Sequence, residues 1–342
     1  MFRKSFIFLS SLIFFFILGI LIFNFLIKKK YVYNNFNYYT AVPNSVETYQ
    51  NEDQKITGEK IIITNDEFGF RNKIKISETK ILFLGDSFIR ALNTDDKNLL
   101  SNSFNSKIYN GGMEGFSTYN SIETAKFLLK KNKFEKIFLF FTMNNDFRDN
   151  LYQKRYQNNI TDKLIIFLKN NSFFNELLKL KNFFYYNKMN SNSKNIYKLD
   201  KPYYSINLLK LFIDDNEYHN KISKLTIDAF SELKELSDRN DAELIIVGIP
   251  TLAEITRDFR KIKNLQKDLE IENLGEKEFN LNIDYKKPQK IFMSVCDEIE
   301  IHCYYISNLD KNSYFKIDDH WNSHGQKKAK EFLIKKNLIN WY

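Results

Sequence analysis

The chain has 342 residues, of which 43% are hydrophobic, and it carries a formal net charge of +9. A chain of this length can bury a sizeable core, and it suits one large domain or one domain with an insertion. The basic residues are scattered rather than gathered with aromatic residues into a stripe, so the composition argues against a nucleic-acid partner.

The first 30 residues contain an uncharged stretch, residues 5–27, that is rich in Phe, Ile and Leu. About 20 apolar residues span a bilayer, and no small-residue cleavage site follows the stretch. We therefore predict an uncleaved, single-pass membrane anchor in residues 1–30. Basic residues flank both ends of the stretch, so the charges do not fix its orientation.

Residues 31–60 are polar, rich in Asn and Tyr, and weakly periodic. This composition predicts a tether between the anchor and a domain that covers residues 61–342. The domain opens with a short apolar strand at 61–63, and turn-forming residues follow it. Arg71, at the end of this turn, could hold a carboxylate near a functional site, but a place on the surface is the simpler expectation.

Five apolar runs in the domain alternate with helical patterns. The runs predict buried strands at 81–84, 107–109, 136–142, 243–249 and 301–306. Periodic or capped segments predict helices at 94–106, 118–132, 219–240 and 288–299, and a last helix that ends near residue 337. This alternation predicts an α/β fold with a five-stranded parallel sheet and helices on both faces.

The regular alternation stops over about residues 147–218. This stretch combines amphipathic pieces with a run of low complexity, and it is predicted to be a helical insertion. A long insertion at the end of a strand is commonly a lid or a substrate platform. The apolar faces of its helices are expected to pack over the sheet, and its loop tips could set specificity.

The first buried strand ends in Gly85-Asp86-Ser87. The glycine closes the strand and the Asp-Ser pair is typical of a helix start, which places Ser87 on a strand-to-helix turn. Ligands bind at such turns in open α/β sheets. Ser87 could therefore be a nucleophile, although an Asp-Ser pair can also serve only as a helix cap.

A nucleophilic serine needs a base, and an imidazole oriented by a carboxylate is the common solution. His320 follows the last predicted strand by a loop, and Asp318 lies two residues before it, on the same side of an extended chain. Asp319 is expected to point to the opposite side, and His324 is the competing histidine. The remaining histidines, His219 at a helix start and His302 in a buried strand, are assigned structural or surface roles.

The same chemistry needs hydrogen-bond donors for a developing oxyanion. The candidates are the Ser87 N–H, the Gly115 N–H and the side-chain amide of Asn145, each at the carboxyl end of one of the first three buried strands. Gly115 and Asn145 could instead be only a turn and a cap.

Two cysteines, Cys296 and Cys303, are seven residues apart. They could close a small disulfide loop in an oxidising compartment, or remain two buried thiols. The pair does not determine the compartment.

Four blocks of the chain together resemble the SGNH/GDSL hydrolases. The blocks are Gly85 to Phe88, Asn110 to Gly115, Asn144 to Asp146, and Asp318 to His320, and they occur in the family's order. The resemblance covers roughly residues 64–147 and 219–337. Phe88 stands where the family has Leu, and a register with Asn144 in place of Asn145 stays open.

The resemblance implies a flavodoxin-like sheet, with Ser87 as nucleophile, His320 as base and Asp318 as its partner. It implies an oxyanion hole of Ser87, Gly115 and Asn145, and no metal or cofactor. The lead-in from Asn65 to Arg71 and the Asp-x-His-Trp-Asn ending look like membrane-anchored or exported members associated with cell-surface glycans.

We therefore expect a serine esterase that removes O-acyl groups, acetyl above all, from carbohydrate or cell-surface polysaccharide. A polysaccharide O-acyltransferase or a lipid esterase would use the same mechanism, and a catalytically silent carbohydrate-binding protein would keep the fold. The resemblance favours a domain outside the cytoplasm, whereas the lysines at 28–30 argue mildly against it. Protein partners are not predicted.

Overall fold

The chain divides into two units in a computed structural model. The structure describes residues 11, 14, 15, 18, 19, 31–35, 38–143, 145–152, 167, 168, 170, 171, 208–258 and 282–339. The first unit comprises residues 1–42 and 155–201, and the second comprises residues 43–154 and 202–342. In the first unit, β1 (Tyr31–Asn35) and β2 (Tyr38–Ala41) pair as antiparallel strands. The Asn170 side chain bonds to the backbone N–H and C=O of Tyr33 at 2.8 and 2.6 Å.

The predicted anchor falls mostly outside the described residues. Residues 11, 14, 15, 18 and 19 are described and are helical. Within the described part of the chain, no helix combines the length and the apolar character needed to cross a membrane. Most of the predicted insertion at 147–218 also lies outside the described residues.

The second unit is built on a five-stranded parallel sheet, as the sequence predicts. Its strands are β5 (Ile81–Leu84), β6 (Ile108–Asn110), β7 (Lys136–Thr142), β8 (Glu243–Ile249) and β9 (Cys303–Tyr305). They lie in the order β6-β5-β7-β8-β9, and every neighbouring pair is parallel. This is the flavodoxin-like order 2-1-3-4-5, whose ligand site lies where the strand order reverses, here between β5 and β7.

Helices cover both faces of this sheet. They are α2 (Ser87–Arg90), α3 (Thr118–Leu128), α4 (Asp146–Tyr152), α5 (Asn216–Asp238), α6 (Leu252–Thr256), α7 (Lys287–Glu298) and α8 (Ser323–Lys335), and α1 (Glu52–Thr57) precedes the sheet. Successive strand residues face opposite sides. Phe140 accordingly belongs to a core cluster with Phe332 of α8, while the Phe141 ring packs on Phe230 of α5 and Phe292 of α7.

A second, antiparallel pair of strands lies at the start of this unit. The pair consists of β3 (Val46–Tyr49) and β4 (Ile61–Thr64), and α1 connects them. Asn51 caps α1 in a capping box with Gln54, and Gly58 ends the helix in the left-handed conformation. Residues 46–57, within the stretch predicted as a tether, thus form regular structure.

The prediction of a helix at 94–106 is wrong. This stretch forms turns and a single 3-10 turn at Leu100–Asn102. Local turns replace the helix: the N–H groups of Thr94 and Asn98 donate to the carbonyl oxygens of Ala91 and Asp95, and Asp95 also accepts from the Asn98 side chain. Arg71, which was expected on the surface, is buried beside these turns and donates to the carbonyl oxygens of Arg90, Ala91 and Thr94.

Two further expectations are resolved near the last strand. His302 was predicted inside a buried strand, but it is exposed and precedes β9, which is only three residues long. Cys296 of α7 and Cys303 of β9 form a disulfide, with 6.1 Å between their Cα atoms.

Candidate active site

The turn after β5 presents Ser87 as the first residue of α2. Gly85, just before it, has φ of 155°, and an added Cβ would lie 2.7 Å from Ile89 Cγ1 and 3.2 Å from the Phe140 carbonyl oxygen. Only glycine fits this turn. Asp86 then caps the helix by accepting from the Phe88 N–H at 2.9 Å. The expected cap is therefore Asp86, which leaves the Ser87 hydroxyl available for other contacts.

The Ser87 hydroxyl meets His320. Ser87 Oγ lies 2.7 Å from His320 Nε2, and His320 Nδ1 is hydrogen-bonded to Asp318 Oδ1. Since a carboxylate only accepts, Nδ1 carries the proton and the Nε2 lone pair accepts from the serine hydroxyl; this tautomer follows from the hydrogen-bond network. The structure thus brings together the three side chains that the sequence singled out as nucleophile, base and partner.

The surroundings of His320 favour its protonated form. Burial by itself would lower the pKa of the ring. The hydrogen bond and charge of Asp318, together with the charges of Asp319 and Asp86, outweigh this effect, so the pKa of His320 is raised above its ordinary value. The His320 ring is therefore well suited to hold a proton that it takes from Ser87.

The competing residues lie further from the serine and its base. The Asp319 carboxylate is 3.8 Å from His320 Nδ1, beyond hydrogen-bond reach. His324 is 45% exposed in its side chain, and its Nε2 lies 3.6 Å from Asp310. The structure therefore pairs His320 with Asp318.

The glycine-rich loop after β6 is held close to the serine turn. The Met113 N–H donates to the Gly85 carbonyl oxygen at 3.2 Å, and Glu114 forms an ion pair with the buried Arg90 at the end of α2. Gly115 follows directly, exposed and with φ of 68°. Its predicted position beside the site is compatible with this loop geometry.

Asn145 is placed by a second buried carboxylate. Its Nδ2 donates to Asp86 Oδ2 at 2.8 Å, and Thr142 Oγ1 donates to Asp86 Oδ1 at 3.2 Å. Burial raises the pKa of Asp86, and these hydrogen bonds oppose the rise. Asp86 therefore links the Asn145 side chain to the turn that presents Ser87. Asn144, the alternative register, lies outside the described residues.

Three ligand-type side chains, Asp318, Asp319 and His320, have polar atoms within 4.8 Å of one another. Both nitrogens of the His320 ring are already engaged, one by Asp318 and the other by Ser87. A metal ion between the two aspartates and Nδ1 would have to displace the proton through which His320 bonds to Asp318, so the arrangement fits acid–base chemistry better than metal binding.

The chain matches no protein-family model and no curated protein. Several solved structures are similar to it. A GDSL-like lipase from Bacteroides thetaiotaomicron has 10% identity and a TM-score of 0.36, covering 78% of this chain and 93% of the lipase. An acetyl xylan esterase from Butyrivibrio proteoclasticus has 10% identity and a TM-score of 0.37, with 81% and 68% covered.

A mutant of an acetylxylan esterase from Geobacillus stearothermophilus has 10% identity and a TM-score of 0.32, with 79% of this chain and 98% of the esterase covered. The GDSL-like lipase bears the name of the family that the four sequence blocks resemble. At these identities and TM-scores, the likeness says nothing of the activity of this chain.

Proposed function

We propose that this protein is a serine esterase of the SGNH type, acting on O-acyl groups of carbohydrate through an acyl-enzyme on Ser87. The observation that carries the proposal is the hydrogen-bonded chain from Ser87 Oγ through His320 to Asp318. A serine, a base and an orienting carboxylate in contact are what nucleophilic catalysis needs.

In the acylation half, Ser87 Oγ attacks the ester carbonyl carbon while its proton passes to His320 Nε2. Asp318 holds the ring through Nδ1–H and stabilises the imidazolium that forms. The tetrahedral intermediate then collapses as His320 returns the proton to the leaving alkoxide oxygen. The alcohol departs and the acyl group stays on Ser87.

The oxyanion of each intermediate needs donors that are in place before it forms. The Ser87 N–H belongs to the first turn of α2, where backbone N–H groups have no partner within the helix. We assign it, together with the Gly115 N–H and the side-chain amide of Asn145, to the oxyanion hole. Each such donor contributes about 3 kcal/mol to transition-state stabilisation in comparable sites.

In the second half, an acceptor hydroxyl gives its proton to His320 Nε2 and its oxygen attacks the acyl carbon. The bond between this carbon and Ser87 Oγ then breaks, and Ser87 Oγ takes the proton back from His320. Water as acceptor gives hydrolysis, and a sugar hydroxyl gives acyl transfer with the same residues. Carbohydrate as substrate rests on the family resemblance of the Asn65-to-Arg71 lead-in and the His320-Trp321-Asn322 ending.

We further propose that residues 5–27 anchor the protein in a membrane and that the esterase domain lies outside the cytoplasm. The apolar stretch supports the anchor. The disulfide between Cys296 and Cys303 supports an oxidising compartment, because cytosolic thiols are kept reduced.

A fluorophosphonate probe tests the nucleophile. The full-length chain in detergent should be labelled at Ser87, and Ser87→Ala and His320→Ala should each abolish labelling. Ser323→Ala, which removes an exposed serine at the start of α8, should label like the wild type. Absence of label in a folded wild type would contradict an activated serine and leave a silent binding protein.

A comparison of three substrates on the same preparation tests the substrate class. The substrates are acetylated oligosaccharides, long-chain lipid esters and p-nitrophenyl acetate. Preferential release of acetate from the oligosaccharide is expected. Preference for the lipid ester would overturn the carbohydrate assignment, and acetyl transfer to added sugar would identify a transferase.

A further inference from the structure

The loop that carries Asp318 has an exposed tip at Lys316 and Ile317. An isolated antiparallel bridge joins Tyr314 to Trp321, and the Phe315 N–H donates to the His320 carbonyl oxygen at 3.0 Å. Between these two contacts, at the tip of the loop, the side chain of Ile317 is 48% exposed. Apolar burial therefore does not fix the tip of the loop.

A single carboxylate from another part of the chain binds the backbone of that tip. Asp53, in the first turn of α1, accepts hydrogen bonds from three successive backbone N–H groups, those of Lys316, Ile317 and Asp318, at 3.2, 3.0 and 3.1 Å. Hydrogen bonds to a charged acceptor are roughly twice as strong as neutral ones. More than 260 residues of chain separate the two partners.

The neighbouring Asn51 contacts the Asp318 side chain itself. Asn51 Nδ2 donates to Asp318 Oδ2 at 3.3 Å, while Asp318 Oδ1 accepts from His320 Nδ1. Asn51 Oδ1 meanwhile caps α1 by accepting from the Gln54 N–H. Gln54 Nε2 in turn donates to the Asn93 carbonyl oxygen at 2.8 Å, in the loop that follows the serine helix.

We propose that Asn51 and Asp53 are positioning residues of the active site: Asp53 fixes the Asp318 loop, and Asn51 orients the Asp318 carboxylate so that Oδ1 meets His320. This role gives the segment before the sheet, residues 51–53, a direct part in the reaction. In metal sites, residues that orient the ligands from behind commonly change activity about 10- to 100-fold when they are replaced, and we expect an effect of that order for residues that orient the partner of the base.

The kinetic part of the test rests on the proposed esterase function, and the titration of His320 does not. The chain has four histidines, so a ¹³C-histidine-labelled, full-length sample in detergent allows the His320 resonance to be assigned with His320→Gln. His320 is faced by Asp318 and Asp319 of its own loop and by Asp86 from the end of β5.

Asp53→Ala removes the three hydrogen bonds that hold the loop. We expect kcat for p-nitrophenyl acetate to fall by roughly 10- to 100-fold with KM little changed, and the His320 midpoint to fall toward that of a free histidine. Glu52→Ala is the matched control, since Glu52 is an exposed acid in the same helical turn. It should leave both kcat and the midpoint as in the wild type.

Asn51→Ser removes the donor to Asp318 without uncapping α1, because serine caps a helix about as well as asparagine does. No charge is added near His320, so the variant reports on the orientation of Asp318 alone. We expect the His320 midpoint to fall, as in Asp53→Ala, and the acid limb of kcat/KM to move to lower pH with it.

An unchanged His320 midpoint in both folded variants would overturn the inference. If Asp53→Ala does not fold, the Asn51→Ser titration decides alone. A wild type that turns over no ester, but whose His320 midpoint moves as expected in the variants, would count against the proposed function and leave the positioning role standing.

Discussion

Trp321 Nε1 donates a hydrogen bond to the carbonyl oxygen of Phe88 at 2.8 Å. Each of these residues directly follows a member of the candidate site, Trp321 after His320 and Phe88 after Ser87. Both are buried, and the Phe88 ring also packs against the His320 ring with centroids 4.9 Å apart. The pair therefore joins the serine turn to the histidine loop.

Replacing Trp321 by Phe should loosen this joint. The Phe88 carbonyl would keep only the 3.4 Å contact from Gln326, and a buried acceptor left poorly satisfied costs about 1–3 kcal/mol. We expect a lower free energy of unfolding and a several-fold lower kcat. Phe332→Leu, in the same core cluster, is the control: it should lower stability in urea titrations but leave kcat per labelled serine unchanged. Equal kcat in both variants would argue against the joint.

Asp318→Asn should separate the rate of the reaction from its pH dependence. The amide cannot stabilise an imidazolium and can favour the wrong ring tautomer, so kcat should fall by roughly a thousandfold or more. The pKa of His320 is raised chiefly by Asp318, against the effect of burial. Because the base must be neutral, the acid limb of kcat/KM should lie above pH 6.5 in the wild type and move to lower pH in the variant.

Asp319→Asn is the comparison for that experiment. Its carboxylate is 3.8 Å from the ring and makes no hydrogen bond to it. The acid limb should move in the same direction by less, with kcat nearly retained. A loss of rate as large as that of Asp318→Asn would mean that the two aspartates had been assigned in the wrong order.

Glu254 should make stability fall as pH rises. Its carboxyl is buried after β8, and burial raises its pKa from 4.5 to about 7, although hydrogen bonds from Thr251 and Tyr305 oppose the rise. The folded state therefore holds a proton that the unfolded state has lost between about pH 4.5 and 7, so folding is favoured at the acid side of this window. The effect amounts to about 3 kcal/mol.

Glu254→Gln removes this contribution while keeping a polar side chain of the same shape. Urea unfolding at pH 5 and pH 8 should show a smaller loss of stability toward pH 8 in the variant than in the wild type. Glu298→Gln, which changes an exposed acid, should follow the wild type. Parallel pH profiles for all three proteins would mean that Glu254 is not buried as a neutral acid.

The disulfide between Cys296 and Cys303 closes a short loop between α7 and β9. Constraining a loop of this length in the unfolded chain stabilises a protein by about 2–3 kcal/mol. The double variant Cys296→Ala, Cys303→Ala should unfold at a correspondingly lower urea concentration. Reductant should destabilise the wild type alone; an equal response of both proteins would show that the cysteines are not bonded.

The local pattern of the sequence was enough to predict the sheet. Apolar runs such as Ile81–Leu84 and Lys136–Thr142 are buried on both faces, and their spacing requires crossover helices, so a parallel sheet follows from chain order. The contact of Ser87 with His320 could also be expected, since both residues follow strands at the same edge of such a sheet. The catalytic roles of Ser87 and His320 are proposed from this contact and from the family resemblance.

Contacts of single polar residues could not be predicted in this way. Arg71 carries no periodic signal, yet it is buried and donates to the carbonyl oxygens of Arg90 and Thr94, next to the turns that replace the predicted helix at 94–106. Asn51 and Asp53 sit in a polar stretch that resembles a linker, and their partners lie at the far end of the chain.

The sequence by itself thus determined the five strands of the sheet, the four long helices around it and the turn that presents Ser87, because each depends on residues close together in the chain. Tertiary structure decided which aspartate meets His320, whether the two cysteines bond, and what holds the Asp318 loop. These depend on distances of a few ångströms between segments that only the packed sheet brings together.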